Sequence, residues 1–202
     1  MSTTADKIFE EIGKHEEDWC FSQKDFMGLA GRDALDKAFS RLAAGGIIRR
    51  IGRGVYDVPR HSDLLNTTLS PNTNQIAKAV ARKFGWRILP TGAHAANLLN
   101  LSTQVPMKTL FLSDGPTKSM SFGSRTISFK HTAPKKLAAG ELGGLVIQAL
   151  TYLGKDQLTE EIRTQLAGRF TGAQKRELLA DAGYAPDWIH EEIQSICTEG
   201  EG

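Results

Sequence analysis

Residues 32–59 have the sequence RDALDKAFSRLAAGGIIRRIGRGVYDVP. In the first half, apolar residues recur every three or four positions, which predicts an amphipathic helix that Gly45-Gly46 ends. The second half contains two β-prone stretches on either side of Gly52-Arg53, which predicts a hairpin whose two-residue turn has glycine at its first central position. A helix followed directly by a hairpin with arginine at its tip is typical of a winged helix-turn-helix, a fold that binds duplex DNA.

The residues before this helix complete the same motif. Ile8 and Ile12 lie on one face of a predicted first helix, and Ser22 precedes Asp25 by three positions, the spacing of a capping box at the start of a short second helix. We therefore expect an α+β protein whose N-terminal winged helix-turn-helix is followed by a mixed α/β domain with a helical C-terminal part. The predicted organisation is a DNA-binding domain over residues 1–60, a polar linker over 61–72, and the second domain over 73–202.

Three groups of residues are predicted to contact DNA. The longer helix of the motif would lie in the major groove, the short helix would direct its free amides at a phosphate, and the hairpin would contact the backbone or the minor groove. The predicted DNA-binding residues are, in that order, Lys37, Ser40 and Arg41; Ser22, Gln23 and Lys24; and Arg49, Arg50 and Arg53. Against this interpretation, Asp33 and Asp36 share the helix, and helix-turn-helix geometry also occurs in protein-interaction domains.

Positive charge is concentrated in the middle of the chain, although the formal net charge is only +2. Residues 32–60 contain seven Lys or Arg against three acids, and residues 64–140 contain ten against Asp114 alone. Residues 1–31 and 141–202 are net acidic. Charge segregated in this way favours a polyanionic partner for the central part.

The second domain is predicted to contain strands first and helices afterwards. Residues 107–113 and 125–130 are predicted strands, because in the second of them apolar and polar residues alternate. Apolar residues at helical spacing from residue 142 onwards predict a helical end, and Pro186 with Asp187 opens the last helix.

The sequence predicts no catalytic, metal or cofactor site. Cys20 and Cys197 have no partner at a metal-ligand spacing, which excludes a zinc finger. His94 and Asn97 lie one turn apart on a predicted short helix, but no nucleophile motif accompanies them, so His94 is interpreted as a capping or core-edge residue. Residues 113–119, SDGPTKS, lack the glycine that precedes the lysine of a phosphate-binding loop. We therefore expect that the protein is not an enzyme.

Two segments resemble a known family. Residues 42–59, LAAGGIIRRIGRGVYDVP, and residues 90–118, PTGAHAANLLNLSTQVPMKTLFLSDGPTK, are similar to the AbiEi-type antitoxins, the transcriptional regulators of type IV toxin–antitoxin systems. The resemblance covers residues 5 to 155, and the acidic helical end matches least. It implies a winged helix-turn-helix joined to a mixed α/β antitoxin domain.

The resemblance also implies a function. Such proteins bind inverted repeats in their own promoter as repressors, and their second domain counteracts a nucleotidyltransferase toxin without forming a stable complex with it. The family's DNA contacts correspond to Lys37, Arg41, Arg49, Arg50 and Arg53. A second basic face is implied at Lys78, Arg82, Lys83, Arg87, Lys108, Lys118 and Arg125.

Other functions are weighed beside this one. A protein-interaction adaptor, or a winged-helix regulator without a toxin partner, fits the same motif. A nuclease or nucleotidyltransferase would need a carboxylate cluster that the sequence does not contain. We expect a cytoplasmic protein, because no apolar run is long enough to cross a membrane and the first eighteen residues are charged throughout. No heptad pattern decides the oligomeric state, and we expect a monomer in solution.

Overall fold

The structure of the protein, a computed structural model, describes residues 3–103 and 108–198 and is α+β. By its contacts the chain divides into two units. Unit 1 consists of Met1–Trp86 with Met120–Ile127, and unit 2 consists of Arg87–Ser119 with Ser128–Gly202. None of the helices within the described residues is long and apolar enough to cross a membrane.

Unit 1 contains the elements predicted for the N-terminal motif. Its helices are α1 (Thr4–Ile12), α2 (Arg32–Ala44) and α3 (Thr73–Phe84), with a short 3₁₀ helix over Gln23–Phe26. Its strands are β1 (Cys20–Phe21), β2 (Arg49–Gly52), β3 (Val55–Asp57), β4 (His61–Ser62) and β5 (Thr67–Thr68). Strands β1, β3 and β2 form one antiparallel sheet in that order, and β4 pairs with β5.

An aromatic cluster forms the core of this unit. Phe21, Phe26 and Phe39 are buried, and the ring centroid of Phe26 lies 5.4 Å from each of the other two in edge-to-face contacts. Leu35 and Leu42 of α2 pack into the same cluster, which confirms the apolar stripe predicted for that helix. Burying a side chain of this size stabilises the fold by roughly 2 kcal/mol, so the cluster fixes α2 against the sheet.

The β2–β3 hairpin is present, but its turn lies one residue further along the chain than predicted. Gly52 pairs with Val55, so the turn residues are Arg53-Gly54, and Gly54 has a left-handed φ of 68°. The predicted Gly52-Arg53 turn is therefore wrong. Gly52 is a strand residue, and a Cβ at this position would lie 2.5 Å from a ring carbon of Phe122.

Helix α3 belongs to unit 1, whereas the sequence placed its residues at the start of the second domain. Its N-cap is Asn72, whose side-chain oxygen accepts from the backbone N–H groups of Asn74 and Gln75 at 2.9 and 3.3 Å. The amide of the same side chain donates to Asp18 at 2.6 Å. The helix packs against β1, β3 and the 3₁₀ helix, so the contacts divide the chain after Trp86.

The segment predicted as a linker contains a small hairpin. His61 pairs with Thr68 and Ser62 with Thr67, and the backbone N–H of Leu69 donates to the carbonyl of Arg60 at 2.7 Å. Residues 61–72 are therefore partly structured.

Unit 2 combines most of a four-stranded sheet with a helical end. Its helices are α4 (Ala93–Leu98), α5 (Glu141–Leu153), α6 (Glu160–Arg169), α7 (Gly172–Asp181) and α8 (Asp187–Thr198). The strands are β6 (Ile88–Pro90), β7 (Lys108–Ser113), β8 (Lys118–Phe122) and β9 (Arg125–His131), in the sheet order β6-β7-β9-β8. The end of the β8–β9 hairpin, Met120–Ile127, is counted with unit 1.

The predicted strands and helices of this half agree with the structure except at β8. Strand β7 follows the prediction from Lys108, while residues 104–107, including the predicted strand residue Met107, lie outside the described residues. The last helix begins at Asp187 after Pro186, as predicted. Strand β8 was not predicted. Within the helical end, Leu150 of α5, Leu166 of α6 and Ile193 of α8 are buried in one apolar cluster.

Candidate nucleic-acid interface

The exposed face of α2 carries the predicted base-contacting residues. Lys37, Ser40 and Arg41 are all exposed, while the opposite face of the helix is buried in the aromatic core. Arg41 lies one turn after Lys37, and its Nε donates to the Lys37 carbonyl at 3.4 Å. Asp33 and Asp36 are exposed on the same helix, so the face mixes cations with carboxylates. Such a face suits hydrogen bonding to base edges better than attraction to phosphate alone.

The start of the 3₁₀ helix is closed by a capping box, as its sequence predicted. The Asp25 carboxylate accepts from the backbone N–H of Ser22 at 2.8 Å and from its hydroxyl at 3.2 Å. Ser22 is 1% exposed. Because Asp25 occupies this position, Ser22 does not present its hydroxyl to a phosphate, and the prediction for that residue is corrected. Lys24 is exposed and Gln23 is half-buried.

The three arginines of the β2–β3 hairpin have different surroundings. Arg49 lies opposite Asp57 across the hairpin and forms two hydrogen bonds with its carboxylate, at 3.0 and 2.6 Å. A third bond runs from Arg49 Nη2 to the Leu69 carbonyl at 3.2 Å. The hydrogen bond to Asp57 raises the pKa of Arg49. Its guanidinium is therefore engaged within the hairpin, and its contact with DNA stays a prediction.

Arg50 and Arg53 remain accessible. Successive side chains of a strand point to opposite faces, so Arg50 is directed away from the side on which Arg49 meets Asp57. Arg53 occupies the turn, and both residues are exposed. Within residues 3–103 and 108–198, neither guanidinium forms a hydrogen bond or ion pair. Of the three arginines of the hairpin, Arg50 and Arg53 are therefore the two that are not engaged within the described part of the fold.

A cleft of about 450 Å³ lies where the 3₁₀ helix, the start of α2 and the turn of the hairpin meet. Its apolar wall comes from Met27, Ala30 and Leu35. The charged side chains that line it are all cations, namely Lys24, Arg32 and Lys83. Gly54 of the hairpin turn borders the same cleft. The fold therefore brings the predicted phosphate-binding helix start and the hairpin turn to one place.

Arg32 is a candidate residue that the sequence analysis missed. It is the first residue of α2, it is exposed, and it lines the cleft beside Lys24. The signal was present in the sequence, because Arg32 opens the segment predicted to form the amphipathic helix and therefore lies at its N-terminal end.

Several members of the predicted second basic face are engaged within the fold. Arg82 donates to Asp25 at 2.8 Å and to the Cys20 carbonyl at 2.7 Å, and its guanidinium lies 5.4 Å from the Trp19 ring centroid. Arg87 pairs with Asp114 at 3.0 Å. Both arginines are therefore engaged within their own units, and their role in binding stays a prediction.

The remaining members of that set are divided between the two units. Arg125 donates to Thr73 at 2.7 Å, and Lys83 donates to the Arg53 carbonyl at 2.7 Å. Lys108 and Lys118 are exposed on unit 2, and Lys78 is half-buried on α3. Lys78, Arg82, Lys83 and Arg125 belong to unit 1, while Arg87, Lys108 and Lys118 belong to unit 2.

The residues of the two segments that the sequence offered as catalytic candidates make contacts within the fold. His94 is buried, its ring meets Phe111 edge-on at 5.3 Å between centroids, and burial lowers its pKa. Asn97 donates to the Ser102 carbonyl at 3.0 Å. The Ser113 hydroxyl accepts from the Gly115 N–H at 3.0 Å, so residues 113–119 begin with a turn. In the described part of the chain, no group of three or more His, Cys, Asp and Glu residues could hold a metal ion.

The fold and the cleft define an α+β protein whose N-terminal unit combines a basic hairpin with a cation-lined cleft. This chain belongs to the DUF6088 family, a family of unknown function, whose model matches residues 7–177. The match includes α2, the hairpin, the cleft residues and most of the described part of unit 2. A search of curated proteins finds no match to this chain.

Proposed function

We propose that unit 1 is a winged helix-turn-helix that binds duplex DNA and that the protein is a transcriptional regulator. In this proposal the 3₁₀ helix and α2 form the helix-turn-helix, and the β2–β3 hairpin is the wing. The order of the elements and the antiparallel sheet β1-β3-β2 support this assignment.

The observation that carries the proposal is the cleft shared by the two helix starts and the wing turn. Lys24 and Arg32 line it from the helix side, and Gly54 borders it next to Arg53. Cations converging on one place suit the phosphates of a DNA strand, because neutralising each phosphate releases condensed counterions. Lys37, Ser40 and Arg41 would then contact base edges in the major groove, with Gln23 near the backbone.

We extend the proposal to a regulatory role on the basis of the resemblance to AbiEi-type antitoxins. The protein would repress its own promoter through inverted repeats and, through unit 2, counteract a nucleotidyltransferase toxin without a stable complex. It would act in the cytoplasm as a monomer, without a cofactor or enzymatic activity. The similarity of residues 42–59 and 90–118 to that family supports this part.

Binding to the DNA upstream of the protein's own gene tests the proposal. We expect fluorescence anisotropy to show saturable binding whose log affinity falls linearly with log salt concentration. Replacing Arg50 and Arg53 together by Ala removes two cations of the wing. At about 1 kcal/mol for each lost contact, the dissociation constant should rise roughly 30-fold.

The matched control is the pair Lys7→Ala and Lys155→Ala. Both lysines are exposed, neither lines the cleft or the hairpin, and the double variant loses the same two charges. If both double variants bind DNA equally well, the wing assignment is wrong. If the wild-type protein binds neither its own upstream DNA nor random duplexes at low salt, unit 1 is not a DNA-binding module.

A protein-interaction adaptor is the second candidate, and one observation favours it. Asp33 and Asp36 are exposed on α2 among the predicted base contacts, and carboxylates repel a DNA backbone. For an adaptor, Asp33→Asn with Asp36→Asn should weaken partner binding. For a DNA-binding helix, the same change should strengthen DNA binding.

A further inference from the structure

The turn of the wing is held by a side chain from a later helix. Lys83 Nζ donates to the carbonyl oxygen of Arg53 at 2.7 Å. The neighbouring Gly54 has a left-handed φ, and a Cβ there would lie 2.5 Å from the same ammonium nitrogen. The absence of a side chain at Gly54 therefore serves two purposes: it allows the turn conformation, and it admits the lysine.

The residue before Arg53 is held in a comparable way. The ring of Phe122 packs so closely on Gly52 that a Cβ would lie 2.5 Å from one ring carbon and 2.6 Å from the next. Phe122 is 7% exposed, so its ring is fixed by its surroundings. Arg53 is thus the residue between two glycines, each of which is in contact with a side chain from outside the first sixty residues.

We infer that Lys83 and Phe122 are positioning residues of the wing, which fix the direction in which Arg53 is presented, and that they do not themselves bind DNA. The expected effect on DNA binding rests on the proposed function, whereas the contacts of Lys83 and Phe122 with the hairpin turn lie within unit 1. It differs from the prediction of Lys83 as part of a basic binding face. An ammonium that donates to a backbone carbonyl has one of its three N–H groups committed to the hairpin.

Contacts of two arginines tie α3 to the rest of unit 1 and support this role. Arg82, next to Lys83, is bonded to Asp25 and to the Cys20 carbonyl. Arg125, three residues after Phe122, is bonded to Thr73 at the start of α3. The helix and the hairpin end that hold the wing are therefore attached to the same unit as the wing itself. A position fixed in this way reduces the ordering cost when DNA binds.

The test compares Lys83→Met with Lys24→Met in the full-length protein. Both lysines line the cleft, and the two substitutions remove the same charge and keep a similar aliphatic stem. Amide hydrogen exchange at residues 52–55, measured without DNA, reports whether the wing turn is held. The slope of log affinity against log salt reports whether a phosphate contact is lost, at about 0.9 for each contact.

For Lys83→Met we expect amide exchange at the wing turn to become about tenfold faster and DNA affinity to fall about tenfold, with the salt slope unchanged. For Lys24→Met we expect the reverse: unchanged exchange and a smaller slope. Lys83→Arg keeps a donor for the Arg53 carbonyl and should restore slow exchange. Phe122→Leu, a second variant that stays apolar, should also speed exchange at the turn.

Unchanged exchange in Lys83→Met together with a slope reduced as in Lys24→Met would make Lys83 a phosphate contact and overturn the inference. Unchanged exchange with unchanged affinity would overturn it as well. Faster exchange in a protein whose wild type binds no DNA would support the positioning of the hairpin and refute the proposed function. The two failures are therefore distinguishable.

Discussion

Replacing Arg49 by Ala should destabilise unit 1 rather than remove a DNA contact. The side chain of Asp57 is 7% exposed and that of Arg49 is 31% exposed. The substitution removes two hydrogen bonds to Asp57 and one to the Leu69 carbonyl, and it leaves the Asp57 carboxylate buried without its partner. Breaking a fully buried pair costs about 3–5 kcal/mol. Because Arg49 is partly exposed to solvent, we expect a smaller loss, about 2–3 kcal/mol of unfolding free energy.

Arg50→Ala is the matched control for this prediction. Arg50 is the adjacent residue of the same strand, it is exposed, and it makes no ion pair within the described residues. We expect its unfolding free energy to stay within about 0.5 kcal/mol of the wild-type value, as for most surface substitutions, while its DNA affinity falls. The two arginines, which the sequence presents as equivalent, should therefore give opposite phenotypes.

A urea titration followed by NMR amide signals of Ile48 and Val55 measures the stability of unit 1 separately from unit 2. A double-mutant cycle with Asp57→Asn isolates the coupling between the two side chains, which we expect to be about 1–2 kcal/mol. The reasoning is refuted if Arg49→Ala is as stable as Arg50→Ala and loses DNA affinity to the same extent. Arg49 would then be a DNA contact, and its bonds to Asp57 would contribute little to stability.

Two further predictions concern buried titratable groups. Burial raises the pKa of the Cys20 thiol to about 12 and also raises that of Cys197, so native protein at neutral pH should react with iodoacetamide far more slowly than protein unfolded in urea. Mass spectrometry measures the labelling rates, and equal rates in the native and the unfolded protein would contradict this burial. Burial lowers the pKa of His94, so the unfolded chain, with a pKa of about 6.5, binds the proton more readily than the folded state. The resulting stability is present above about pH 6.5 and is lost as the pH falls below it; His94→Phe should flatten the stability profile of unit 2 between about pH 5 and 7, and an unchanged profile would exclude His94 as its source.

The amphipathic helix and the capping box could be predicted because both depend on residues close together in the sequence. The apolar positions of α2 repeat at helical spacing, and Ser22 and Asp25 are three residues apart. Strand β8 could also have been predicted, since Met120 and Phe122 alternate with Ser119 and Ser121. Its start overlaps residues 113–119, whose glycine and lysine resemble those of a phosphate-binding loop.

The position of the wing turn depends on residues far away in the sequence. Both Gly52 and Gly54 could supply the conformational freedom of a two-residue turn. Phe122 packs against the first glycine, and Lys83 lies beside the second. No local pattern within residues 47–58 contains this information, and the prediction therefore chose the wrong glycine.

The role of each arginine in the wing depends on the strand register, which the sequence alone does not determine. Alternation along a strand predicts that Arg49 and Arg50 point to opposite faces, but it does not say which of them faces the protein. The register places Arg49 opposite Asp57, so Arg49 is the arginine that bonds within the hairpin. A count of basic residues therefore includes one arginine of the hairpin, Arg49, whose guanidinium is engaged within the fold.

The same argument applies to α3. Its apolar stripe predicts that the helix packs on a core, but not on which core, and its three cations suggest a surface for nucleic acid. In the structure Arg82 neutralises Asp25, the carboxylate that caps the 3₁₀ helix, and Lys83 holds the wing turn. Two residues of the predicted basic face are thus engaged within unit 1, which continues past residue 60 to Trp86 and also includes Met120–Ile127. A fragment ending at residue 60 would retain Arg50 and Arg53. It would lose Lys83 and Phe122, the side chains that contact the hairpin turn from outside the first sixty residues.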